Sequence, residues 1–193
     1  MEFLHSNFLP MRTGNKNFLD KFYELLPQAS LLNIAVGYVT CDSLVELQKL
    51  MEYNNRIHTL NLIIGMHYLD LFTKTEYNAA VDLNEYLTNT ERGEVRLVTP
   101  FRYHGKLYSY SNLDGPFAGI IGSNNLSSIV EGGSRVYESA IFFDEPKPAL
   151  EMHRFIEDLK KTSSDNISTL EIKKFKEANP LLEEHEFVKK INT

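Results

Sequence analysis

His104 and Lys106 stand two residues apart in the stretch Tyr103-His104-Gly105-Lys106-Leu107-Tyr108-Ser109-Tyr110. An imidazole serves as nucleophile, base or acid near neutral pH, and an ammonium holds negatively charged oxygen. On an extended strand the two side chains share a face, roughly 7 Å apart. The pair is therefore suited to phosphate chemistry. Further along come Gly122-Ser123-Asn124-Asn125 and then Glu138, ahead of the apolar run SAIFF. Ser123 offers a hydroxyl and Asn125 an amide, both able to donate to phosphate oxygens. Asn124 takes the place of Asn125 if the turn is shifted by one. A glycine such as Gly122 lets a backbone approach a ligand closely. A carboxylate such as Glu138, facing a histidine, fixes its tautomer and stabilises its cation. Each piece alone is weak, since a lone H-x-K, a GSNN loop and a solvated glutamate are all common. Their order and spacing carry the signal.

Elements that position these residues can be read from periodicity. Residues 15–26 show apolar positions at Phe18, Leu19, Phe22, Leu25 and Leu26, which is helical spacing stopped by Pro27. Residues 31–40 and 59–66 are apolar runs expected as strands covered on both faces. Asp42 or Ser43 can cap a helix running to about Tyr53. A helix is expected over 75–87 and a strand over 95–99, giving a β-α-β-α-β pattern. Strands over 104–111 and 116–123 flank the turn signal Asn112-Leu113-Asp114-Gly115. A strand over 137–143 and an amphipathic helix over 148–161 complete the reading. The expected fold is α/β: a mixed, largely parallel central sheet with helices on both faces.

The chain has 193 residues, 42% of them hydrophobic and 24% charged. That is enough to bury one core and is the balance of a globular domain. No apolar run approaches the roughly 18 residues of a membrane span, and the N-terminal stretch lacks the features of a signal peptide. The expectation is a cytoplasmic protein with no membrane partner. Cys41 is the single cysteine, which excludes an intramolecular disulfide and a CxxC metal site. A net charge of −6 argues against tight, independent binding of nucleic acid by electrostatics. From Thr162 onward the chain turns polar, yet Leu170, Ile172, Phe175, Leu181, Leu182, Phe187 and Val188 remain. We read 1–161 as the domain and 162–193 as a linker or docking tail.

H-x-K, a hairpin, G-S-x-N and a strand bearing Glu resemble the signature of the phospholipase D superfamily in its nuclease branch. The texture of HGKLY, IIGSNNLS and YESAIFF is similar to the metal-independent restriction endonucleases of the BfiI and NgoFVII types. The lipase form of the motif has an aspartate five residues after the lysine, where this chain has Ser111. The resemblance implies His104, Lys106, Ser123, Asn125 and Glu138 as catalytic residues and no metal or other cofactor. It implies cleavage of DNA through a phosphohistidine intermediate. Members use two H-x-K units per site and this chain has one, so the resemblance implies a homodimer with a composite site. A recognition domain or further restriction subunit would then supply the DNA sequence preference. Two alternatives stay open: a phospholipase-D-like phosphodiesterase acting on RNA or lipid, and a non-catalytic dimerisation module of the same fold.

Two flanking stretches have split readings. Tyr38, at the end of a strand leading into a helix, either lines the cleft, a usual ligand position in α/β sheets, or packs beside Gly37. Arg102 either touches phosphate or is solvated.

Overall fold

The computed structural model describes residues 1–9, 14, 16–131 and 136–177. Eight strands form one sheet: β1 (Glu2–His5), β2 (Leu31–Val36), β3 (Thr59–Ile64), β4 (Gly93–Val98), β5 (Lys106–Asn112), β6 (Gly115–Gly122), β7 (Ser139–Phe143) and β8 (Ser164–Asn166). Their spatial order is β1-β7-β6-β5-β2-β3-β4-β8. The helices are α1 (Phe18–Leu25), α2 (Cys41–Tyr53), α3 (His67–Asp70), α4 (Lys74–Asn89) and α5 (Pro146–Ser163).

The mixed sheet covered on both faces matches the expectation, but less of it is parallel than expected. Only β2–β3 and β3–β4 pair in parallel, while the other five pairings are antiparallel. Helical crossovers impose parallel pairing on β2, β3 and β4. After β4 the chain returns through a hairpin and a meander, which can only pair antiparallel. Two edge strands escaped the sequence reading. β1 is four residues long, and β8 (SDN) is three residues of low strand propensity. Beyond β8, Ile167 is fully buried, Leu170 and Ile172 pack on the core, and the Lys176 N–H donates to the Phe72 carbonyl. The chain thus runs from β8 along the core to the loop that follows α3. Leu181, Leu182, Phe187 and Val188 lie outside the described residues, as does Asn15.

Local chemistry explains the helix starts. Thr40 and Ser43 form a capping box for α2, and Thr73 and Glu76 form one for α4, satisfying backbone donors that a helix leaves unpaired. Thr40 is thus a cap rather than the last residue of a strand.

One face of the sheet is apolar. Phe22, Leu32, Ile34, Leu47, Leu62, Leu83 and Tyr108 belong to a core shared with α1, α2 and α4. The other face lies under α5 and mixes a small apolar cluster, including Ala35, Leu107 and Ile156, with a polar seam. In that seam Asn33 donates to Glu157 (3.0 Å), Asn61 to Asn33 (2.8 Å) and Lys160 to Asn61 (2.9 Å). Lys160 also pairs with Glu94 at 3.1 Å. Apolar packing there holds α5 down, and the buried amides fix its position along the sheet, because an unmet buried amide is costly. Among the described residues no helix is long and apolar enough to cross a membrane.

Candidate active site

The candidate residues gather where β2 ends and β5 begins. Antiparallel pairing of these strands sets Lys106 opposite Val36. The residues just before β5 therefore lie against those just after β2. His104 is in that preceding segment and not on the strand, contrary to the periodic reading. The Tyr103 N–H donates to the Gly65 carbonyl (3.1 Å), which ties the segment to the end of β3. Gly37 makes room for it. A Cβ at position 37 would lie 3.1 Å from His104 Cδ2 and 3.3 Å from Met66 Cγ, so a side chain there would crowd the imidazole.

His104 is exposed, while Lys106 is 6% exposed. The Lys106 ammonium lies 3.1 Å from both His104 ring nitrogens and donates to the His104 carbonyl at 2.7 Å. A point equally close to both nitrogens at that distance is over the ring, not in its plane. The in-plane lone-pair and N–H directions of the imidazole are therefore not taken up by Lys106. Burial pushes the Lys106 ammonium below its ordinary value, and the negative charge of Glu138 acts in the opposite sense.

Asn125 follows β6. Its Oδ1 accepts from the Tyr38 backbone N–H at 3.1 Å, which turns the NH₂ end of the amide away from Tyr38. Tyr38 sits edge-on to His104, with ring centroids 5.8 Å apart at 77°. The structure thus brings His104, Lys106, Asn125 and Tyr38 together. Glu138 enters β7 nearby and acts on Lys106 through its charge. Among the described residues no hydrogen bond joins Glu138 to His104 in the same chain. The Ser123 hydroxyl donates to the Ser139 carbonyl (3.3 Å) and accepts the Ser139 N–H (3.0 Å), clasping β6 to β7. Gly122 serves the same join, since a Cβ there would lie 2.3 Å from the Ser139 carbonyl oxygen. Its close approach is to β7. The Asn124 side chain is buried and donates to Ser128 at 3.2 Å, and its Oδ1 lacks a protein partner. Asn124 therefore points into the fold.

Sequence reading missed Asp70, the last residue of α3. Its Oδ2 accepts the Tyr38 hydroxyl at 2.9 Å and its Oδ1 accepts Arg102 Nε at 2.7 Å. The Arg102 hydrogen bond, then that of Tyr38, holds the Asp70 carboxyl below the usual carboxylate range. The bond to Asp70 in turn pushes the Tyr38 phenol up. Arg102 is thus both tethered and solvent-facing, its side chain being 59% exposed. No local pattern marks Asp70, whose partners are 32 residues away on either side in sequence. Cys41 is a free thiol, half-buried, and burial pushes it up. Among the described residues no three His, Cys, Asp or Glu side chains are grouped as for a metal ion.

An exposed imidazole beside an ammonium and an oriented amide can receive a phosphate group: one nucleophile or base and two donors for anionic oxygen. Comparisons with known proteins place the fold and the family. Among solved structures, the chain is similar to phosphatidylserine synthase of Haemophilus influenzae (TM-score 0.56, 14% identity, 88% of this chain and 41% of that one). Polyphosphate kinase of Porphyromonas gingivalis is also similar (TM-score 0.55, 12% identity, 98% of this chain and 28% of that one). A third is NucT from Helicobacter pylori (TM-score 0.51, 16% identity, 86% of this chain and 99% of that one). At these identities the likeness shows the fold, and the chain spans less than half of each of the first two proteins. No curated protein matches the chain. The family model described as the NgoFVII restriction endonuclease N-terminal PLD domain matches residues 16–174. The chain belongs to that family, whose model spans β2 through β8 and with them every candidate residue named above.

Proposed function

We propose that this chain is the DNA-cleaving domain of a restriction endonuclease, a phosphodiesterase that needs no divalent metal. The observation that carries the reading is the Lys106 ammonium held over an exposed His104 ring, with both nitrogens left in-plane access. One His104 attacks phosphorus through Nε2 and forms a P–N bond while the P–O bond to the leaving oxygen breaks. The partner's His104, in its protonated form, gives that oxygen a proton. It then takes a proton from water as the water oxygen attacks phosphorus and the P–N bond breaks. Lys106 and Asn125 of both chains bind the non-bridging oxygens, where each donor is worth about 2.7–4 kcal/mol in the transition state. Glu138 supports the charged Lys106, and across the dimer it is a partner for imidazole N–H. Ser123 serves by fixing the β6–β7 join from which Asn125 and Glu138 depart.

One H-x-K per chain supports a homodimer with a composite site. The net charge of −6 supports delegation of sequence recognition to another domain or subunit. The test is cleavage of labelled duplex DNA in excess EDTA, followed by acid and alkali treatment of the trapped protein. The expected outcome is metal-free cleavage and a phosphoprotein labile to acid but stable to alkali, both lost in His104→Ala. Cleavage abolished by EDTA, or surviving the substitution, overturns the reading. RNA and phospholipid run in parallel separate the alternative substrates.

A further inference from the structure

We propose that Asp70 is a positioning residue of the His104 site, acting through Tyr38; this rests on the phosphodiesterase reading above. Asp70 uses each carboxylate oxygen for a different partner, Oδ2 for the Tyr38 hydroxyl and Oδ1 for Arg102 Nε. Tyr38 is thereby held at its far end by Asp70. At its near end its backbone N–H orients the Asn125 amide. Between these two anchors the ring lies edge-on to His104 at 5.8 Å and to His67 at 5.5 Å. One phenol side chain therefore braces the nucleophile and, through its own backbone, one of the oxyanion donors.

The chain spends strain to put Asp70 there. Leu71, which follows it, has φ +66°, a region costly for a residue with a branched side chain. That turn ends α3 and sends Phe72 back to stack on His67 at 4.3 Å and 11°. The pairing of Asp70 with Arg102 gives little stability, because the Arg102 side chain is 59% exposed and exposed ion pairs are largely offset by solvent. The turn seats Phe72 in the core, and the two bonds of the Asp70 carboxylate to Tyr38 and Arg102 add orientation of the site rather than stability. Asp70 does not touch His104, so its effect passes through the placement of Tyr38.

Kinetics on duplex DNA in EDTA, with the full chain, test this. Asp70→Ala and Tyr38→Phe are each expected to lower kcat about tenfold, the cost of a sub-ångström misplacement, with KM changed less than about twofold. The double variant is expected to be no slower than either single one, because both break the same bond. In spectra of the folded variants, the His104 imidazole signals are expected to shift or broaden. Unchanged kcat in both variants overturns the proposal, and so do effects that multiply in the double variant. If Asp70→Ala does not fold, Tyr38→Phe decides, since it removes one oxygen: an unchanged kcat overturns the proposal and a tenfold loss with intact KM supports it. His104→Ala distinguishes the two levels. Cleavage that persists in it sinks the phosphodiesterase reading, whereas a dead His104→Ala beside fully active Asp70 variants sinks only the role of Asp70.

Discussion

Two imidazoles flank Tyr38 at almost equal range and almost equal angle, 5.5 Å and 83° for His67 and 5.8 Å and 77° for His104. Their surroundings differ in every other respect. His67 is 2% exposed, stacks on Phe72, accepts the Val39 N–H at Nε2 (3.1 Å) and meets the Leu71 carbonyl through Nδ1 (3.3 Å). Acceptance at Nε2 requires the neutral ring with its proton on Nδ1. His104 is exposed and its nitrogens have no in-plane partner from Lys106. The comparison teaches that residue type does not make a reactive histidine. A ring whose two nitrogens are both bonded is a structural part, and an exposed ring beside a fixed cation is one the proposed chemistry can use.

The largest effect on this contrast is expected from removing the cation. Lys106→Ala should lower kcat by about 10²–10³ while His104 stays in place, measured by single-turnover cleavage in EDTA. Next comes Gly37→Ala, which presses a methyl toward His104 Cδ2 at 3.1 Å. A shift of the ring by under an ångström should cost about tenfold to a hundredfold in kcat, with a thermal midpoint close to that of the parent. His67→Phe sharpens the other side. It keeps the stack on Phe72 but leaves the buried Val39 N–H unmet, at about 1–3 kcal/mol of stability, read by urea denaturation.

The smallest effect is the pH dependence of that stability. Burial pushes the His67 imidazole down, Glu76 opposes this and Lys176 adds to it. Its folded value is thus below the unfolded one of about 6.5. The unfolded chain then binds more protons in that interval, so stability present above about pH 6.5 falls as the pH drops below it. His153 is also pushed down by burial and adds a slope of the same sign. The test is the difference in thermal midpoint between the parent and His67→Phe, which should shrink on going from pH 7.5 to pH 5.

The strand core was legible from periodicity, and residue type and order singled out His104, Lys106 and Asn125, which the structure brings together. What stayed hidden depends on distant partners. Asn33 and Asn61 interrupt apolar strands for reasons found only in Glu157 and Lys160 on α5, 124 and 99 residues away. Asp70 sits in an unremarked HYLD turn, and its value comes from Tyr38 and Arg102. His104 fits the alternation of a strand, but the bond from Tyr103 to Gly65 pulls it out of the sheet. β8 carries no strand signal of its own and pairs because α5 delivers it beside β4.

Lys106 is fastened to the His104 main chain as well as lying over its ring, and the backbone bond of 2.7 Å does not depend on which side chain stands at 104. Replacing the imidazole by an inert amide of similar reach should therefore leave the cationic cradle standing. Such a protein would keep its fixed positive charge while lacking the attacking nitrogen, so that docking of a phosphate group and its chemistry could be measured one without the other.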